Sequence, residues 1–233
     1  MRKTIWASMF ALAAFAVGSE ARADWGLHSG DVLRPGDNAL YGEVGWPDLS
    51  VGFQHGMSDK VDIGFRFSAP IYGFEYRTRT LLGLGMSVPI RITPVHREKF
   101  SFQFHFDPGL KFDSFGTSRC VNNVCASNND LAFGLWIPFG LTFGIHITRE
   151  ATLSFGFDAP FYINFTNGVY GGLPFLFGPG FEYHVDDHIA VGMNLKFGPS
   201  VLASSGTDGN GNSYTATNTD FGLLAQAFFA YRL

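Results

Sequence analysis

Residues 131–147 read LAFGLWIPFGLTFGIHI. The run is apolar enough to suggest a membrane helix, yet read with period two it separates into two faces. Leu131, Phe133, Leu135, Ile137, Phe139, Leu141, Phe143, Ile145 and Ile147 form one uninterrupted apolar set. Ala132, Gly134, Trp136, Pro138, Gly140, Thr142, Gly144 and His146 form the other, which is small or polar. A helix would mix the two sets around its circumference and would tolerate Pro138 and three glycines poorly. A strand places one set on each side of a sheet. The apolar side is too long and continuous to face water, so either a second layer or lipid covers it.

The same alternation recurs on both sides of this stretch. Working outward, the pattern predicts strands over residues 38–46, 49–56, 61–70, 77–92, 100–107, 131–147, 151–161, 173–185, 188–202 and 220–233. Residues 100–107 are the clearest, with Phe100, Phe102, Phe104 and Phe106 alternating with Ser101, Gln103, His105 and Asp107. The connections alternate in length. Residues 57–60, 93–99, 148–150 and 186–187 are short, whereas 71–76, 113–130, 162–172 and 203–219 are longer and polar or Gly-rich. Tight turns at one end and longer loops at the other are the profile of a transmembrane antiparallel up-and-down β-barrel, here of about ten strands. Pro70, Pro108, Pro160 and Pro199 each follow a turn by about one membrane-spanning length. Proline lacks a ladder donor, so these four are expected at the outer rim, where pairing frays.

Residues 1–23 read as a secretory signal: Arg2 and Lys3, an apolar core over 5–17, and the small-x-small site Ala21-Arg22-Ala23. Of 16 basic and 20 acidic residues, the signal takes Arg2, Lys3, Arg22 and Glu20; 13 and 19 remain, a formal charge of −6. That balance offers nothing to nucleic acid. Residues 24–37 have no periodicity and read as a lead segment, either periplasmic or tucked into the lumen. The barrel proper spans 38–233. Cys120 and Cys125 flank Val-Asn-Asn-Val, which behind a signal peptide reads as a disulfide stapling a loop tip.

The signal, the alternation and the chain's ending together resemble small Gram-negative outer-membrane β-barrel proteins. Phe229, Tyr231 and Leu233 occupy the fifth-last, third-last and last positions, similar to the carboxy-terminal assembly signal of such barrels, with leucine in place of the usual phenylalanine. The resemblance implies insertion by the barrel-assembly machinery and contact with outer-membrane lipid. It implies no activity, because the fold hosts pores, enzymes, adhesins and anchors.

Chemistry is sought on the inward positions. Glu43, Asp62, Arg66, Arg79, Arg91, Asp107, Lys111, Asp158, Glu182, Lys196, Asp220 and Arg232 all fall there, with both signs mixed. Charges away from water must pair, so these form a lumen network. His105 and Asp107, with Ser101 below, suggest a Ser-His-Asp arrangement, although the paired acidic motifs of outer-membrane proteases and the His-x-Ser pair of lipid A deacylases are absent. Glu182, His184 and His188 flank one turn at a spacing that suits a loose metal site. Residues 207–212, TDGNGN, resemble a calcium loop without its closing glutamate and equally suit a hairpin tip. The bland readings prevail, so no catalytic residue, metal or cofactor is expected. Two functions follow: a non-enzymatic envelope component binding protein or polysaccharide partners, or a narrow pore for small solutes. A hydrolase is the third reading.

Overall fold

The computed structural model describes residues 25–71, 82–121, 124–165, 168–207 and 213–233, with side chains at all of these except 82, 115–121, 124–130, 168, 207 and 214. The signal sequence and Arg79 lie outside the described residues. Thirteen strand segments follow in order: β1 (Asn38–Trp46), β2 (Asp48–Ser58), β3 (Val61–Pro70), β4 (Leu82–Ser87), β5 (Ile90–His96), β6 (Phe100–Phe106), β7 (Gly109–Val121), β8 (Val124–His146), β9 (Ala151–Phe165), β10 (Gly168–Pro174), β11 (Leu176–His184), β12 (Ile189–Thr207) and β13 (Ser213–Arg232). Three pairs are halves of single long strands. β4 and β5 both pair with β3, β6 and β7 both with β8, and β10 and β11 both with β9 and β12. Counted this way, ten antiparallel strands follow one another, and β13 pairs with β1 from Ala39↔Arg232 to Trp46↔Ala225 to close the barrel. Closure leaves no edge, which is the condition for a sheet in lipid.

The faces fall as the alternation predicts. Leu131, Phe133, Leu135, Phe139, Phe143 and Ile145 are exposed on the outside, while Ala132, Gly134, Trp136, Gly140, Thr142, Gly144 and His146 are buried within. Phe104 is 45% exposed and its neighbour Gln103 only 2%. The outer apolar belt includes Val51, Phe65, Leu84, Phe112, Leu153, Phe181 and Met193 from strands all around the barrel. A patch that encircles the molecule far exceeds what a water-facing surface carries.

Two parts of the expected pattern are corrected. The stretches 113–130, 162–172 and 203–219 are not loops over most of their length. β7 and β8 stay in register to Val121↔Val124, β9 and β10 to Val169↔Phe165, and β12 and β13 to Thr207↔Ser213. Backbone pairing continues there, but the sequence over 113–130 and 203–219 is mostly polar, so hydrophobic periodicity has little to detect; over 162–172 the outward Phe165 and Val169 are separated by a short polar stretch that interrupts the pattern. Secondly, three of the four prolines do not mark the rim, whereas Pro70 is the last residue of β3. Pro108 and Pro199 are followed by many further paired residues, and Pro160 sits opposite Pro138 within the wall. The ladder is interrupted at Val88-Pro89, at Asp107-Pro108 and at Phe175, after Pro174. It is carried across these gaps by proline carbonyls: Val88 N donates to Pro108 O, Asp107 N to Pro138 O and Phe175 N to Pro199 O, at 2.8–2.9 Å. Of the two places read for the lead segment, periplasm or lumen, residues 25–37 take the lumen. Trp25, Leu27 and Leu33 pack there with Tyr41 and Phe228.

The short turns 59–60, 97–99, 147–150 and 185–188 gather at the end where both described termini lie, while β1 and β2 are joined at the other end by Pro47 alone. In the turn after β11, Asp186 Oδ1 accepts from the amides of His188 and Ile189, which hold its exposed carboxyl below the ordinary range.

Candidate functional site in the barrel lumen

The lumen is occupied in two layers. At the turn end, residues 25–37 run across it as an irregular strap that forms no strand of its own. Its backbone polar groups must then be satisfied by side chains, and the inward face of the wall supplies them. Leu27 N donates to Glu182 Oε1 at 3.0 Å and His28 N to Glu182 Oε2 at 2.9 Å. Leu33 N donates to Asp62 Oδ2 at 3.2 Å. From the other side, Arg91 Nη1 donates to Gly26 O at 2.9 Å and to Leu27 O, Thr93 Oγ1 to Gly30 O at 3.0 Å, and Gln103 Nε2 to Asp31 O at 2.7 Å. The strap presses close to the wall at Gly144, where a Cβ would lie 1.9 Å from Ser29 O. Gly30, at φ +97°, turns the strap at this point, a backbone conformation open to glycine without strain.

Above the strap lies the charge network. Arg66 is its hub: Nη2 is 2.9 Å from Glu43 Oε2 and 3.1 Å from Asp48 Oδ1, and Nη1 is 3.4 Å from Asp107 Oδ2. One guanidinium among three carboxylates leaves negative charge to neutralise. His28 Nε2 meets Glu43 Oε1 at 2.7 Å, Ser50 Oγ donates to Glu43, and Gln226 Nε2 donates to Asp48 Oδ1 at 2.8 Å. A second centre joins Lys196 Nζ to Asp158 at 2.8 Å, with His105 Nε2 on the same carboxylate at 2.9 Å. His105 reaches Asp158 across the intervening strand because the residue between them is Gly140, whose Cβ would meet both. A third pair, Arg91 with Asp62, is bidentate at 2.6 and 2.7 Å. Higher still, Lys111 Nζ is 2.8 Å from Asp113 and lies over the rings of Tyr162 and Trp136, 5.0 and 5.4 Å from their centroids. Between the strap and this level a cavity of about 130 Å³ remains, lined by His28, Arg66, His105, Trp136, Asp158 and Lys196 among others.

Nine of the twelve charges read from the sequence thus meet inside. Of the other three, Asp220 lies within β13 and accepts from the amide of the next residue, Phe221, Arg232 sits at the turn-end mouth 3.6 Å from Asp37, and Arg79 is outside the described residues. The Ser-His-Asp arrangement is not assembled from the residues that suggested it: Asp107 serves Arg66, His105 serves Asp158, and Ser101 Oγ donates to Ser29 O. Of the three residues around residues 185–187, two meet: His184 Nε2 lies 3.5 Å from Glu182 Oε1, which also holds the strap, while His188 stands apart with its Nδ1 bonded to Arg232 O on the surface. The calcium-like loop and the cysteine side chains lie outside what is described; the register does set Cys120 opposite Cys125. Phe229, Tyr231 and Leu233 project outward at the end of the chain.

Sequence reasoning missed Asp31, His28, Asp48, His96 and His146. Asp31 and His28 sit in a segment without periodicity, and Asp48 falls between the strands predicted over 38–46 and 49–56, although it is the first residue of β2. His146 stands on the inward face of the defining stretch, but its partners are distant in sequence. Among the described residues, Asp31, His96 and His146 form the one cluster whose donor atoms suit a metal ion.

No protein-family model matches the chain, and no curated protein matches its sequence. Among solved structures, it is similar to the outer membrane protease OmpT from Escherichia coli, with 10% identity over 84% of this chain and 93% of that one and a TM-score of 0.41. The fold is that of a Gram-negative outer-membrane β-barrel, and the resemblance read from the sequence stands at the level of that class. The expectation of a barrel acting without catalysis is corrected on this finding, because a matched barrel is a protease. At this identity and TM-score the likeness transfers no activity to the present chain.

Proposed function

We propose that the protein is an outer-membrane barrel whose lumen is closed to ions at rest and which serves the envelope through its loop-end hairpins. The reading rests on the strap: residues 25–37 cross the lumen and are held by Glu182, Arg91, Asp62, Thr93 and Gln103. With the strap at the turn end and paired charges above it, a hydrated ion has no continuous path. What reaches the medium is the set of long hairpins β7–β8, β9–β10 and β12–β13, rich in Ser, Asn, Thr and Gly. Their polar surface suits an envelope protein or polysaccharide partner, with the turn end facing the periplasm. A second reading, a gated conduit for small solutes, is favoured by the cavity of about 130 Å³ above a strap held without covalent bonds.

Planar-bilayer recording separates the two. The refolded full chain is expected to be silent, and a variant lacking residues 26–33 to show ion steps. Steady conductance of the full chain would replace the closed barrel with the conduit.

A further inference from the structure

The strap and the wall share one cluster that neither the charge network nor the closure of the lumen explains. Asp31 is on the strap, His96 at the end of β5 and His146 at the end of β8. β5 and β8 are the two neighbours of β6, with His96 opposite Ser101 and Ser101 opposite Gly144. The small residues between them let both rings lean inward over β6, and their centroids come to 6.0 Å. Asp31 Oδ1 lies 2.7 Å from His96 Nδ1 and 3.7 Å from His146 Nε2. One donor atom from each residue falls within 4.8 Å of the other two.

We propose that Asp31, His96 and His146 bind a divalent first-row metal ion, Zn²⁺ foremost, which clamps the strap to the barrel wall. Three donors each about 2.1 Å from a tetrahedral Zn²⁺ stand about 3.4 Å apart. The two Asp31 separations, 2.7 and 3.7 Å, bracket that value, and all three donors lie within 4.8 Å of one another, so side-chain rotations that draw the two imidazoles together close the site. The outer partners also fit. Thr152 Oγ1 is 3.0 Å from His146 Nδ1, which leaves Nε2 as the ring atom aimed at Asp31. Metal-binding imidazoles are characteristically oriented through their second nitrogen in this way. Ser29 Oγ donates to Asp31 Oδ2 at 3.4 Å, on the oxygen not facing the rings. Two imidazoles and a carboxylate suit Zn²⁺ and its neighbours rather than Mg²⁺ or Ca²⁺. Asp31 and His146 are buried, whereas the His96 side chain is 25% exposed at the turn-end mouth. That leaves an entry path and room for a fourth ligand, water. The site departs from the sequence expectation of no metal, since its three ligands come from segments 50 residues or more apart.

The metal site stands on its own geometry; its role in closing the lumen rests on the reading under Proposed function. The untagged full chain, refolded in detergent, is titrated with Co²⁺ and then with Zn²⁺, and heat-modifiable gel mobility checks that each variant is folded. One equivalent of Co²⁺ should give visible d–d bands that Zn²⁺ removes. Asp31→Asn and His146→Gln should each weaken binding by at least about 100-fold, and Thr152→Val by about 10–100-fold. His188→Gln, on an exposed turn, should leave it unchanged. A folded wild type without Co²⁺ bands overturns the site, as does wild-type affinity in Asp31→Asn. Should both ligand variants fail to fold, unchanged affinity in Thr152→Val overturns it. A barrel that binds Zn²⁺ yet conducts regardless sinks the closure alone; a silent barrel that binds no metal sinks the metal site alone.

Discussion

Arg91 shows how much of the interior hangs on single residues. It is buried, forms a bidentate pair with Asp62 and donates to two carbonyls of the strap. Asp62 is fully buried and also accepts from Gln54 Nε2 and Leu33 N. Truncating one partner of a buried pair costs about 3–5 kcal/mol, because the other charge is left uncompensated. Arg91→Ala should therefore lower stability by that amount in urea unfolding from lipid vesicles. Arg91→Ala combined with Asp62→Asn should cost less than the sum of the two changes. If Arg91→Ala unfolds at the wild-type urea concentration, water already reaches Asp62 and the lumen is wet. That Arg91 faces inward was legible from period two; that it would hold the strap was not, since Gly26 and Leu27 precede it by more than 60 residues.

At the scale of elements, β6 and β8 define the two faces on which the fold depends. Phe104 faces outward and Gln103 inward to Asp31 O. Arginine on the lipid face costs about 2–4 kcal/mol at the bilayer midplane. Phe104→Arg should thus slow or block folding into vesicles, whereas Gln103→Ala should insert normally and loosen only the strap. Equal loss of insertion in both would contradict the assignment of faces. On β8, Gly144→Ala places a methyl group against Ser29 O. A folded barrel with a displaced strap is expected, visible as ion steps in planar bilayers; a silent Gly144→Ala barrel would mean that the strap does not close the path. The apolar alternation in both strands was plain in the sequence. The extension of β7, β8 and β12 beyond the lipid belt was not, because pairing there carries no hydrophobic signature.

For the whole molecule, orientation is the outstanding quantity. Four short turns and both described termini share one end, and the hairpin bearing Cys120 and Cys125 projects from the other. If the turn end faces the periplasm, a membrane-impermeant thiol reagent should label these cysteines on intact cells after reduction. Labelling that requires disruption of the outer membrane would invert the barrel.

Sequence alone determined the class of this protein, the number of its strands and the inward face of the nine charges that meet in the lumen. All three follow from a period-two pattern written locally, residue by residue, by the need to present apolar groups to lipid. Tertiary structure decided which charges meet, that residues 25–37 cross the lumen, and that Asp31 comes to His96 and His146. Those outcomes depend on register and closure: β5, β6 and β8 bring distant residues to one height, and glycines at 140 and 144 leave the space in which they touch. A local pattern carries no record of either.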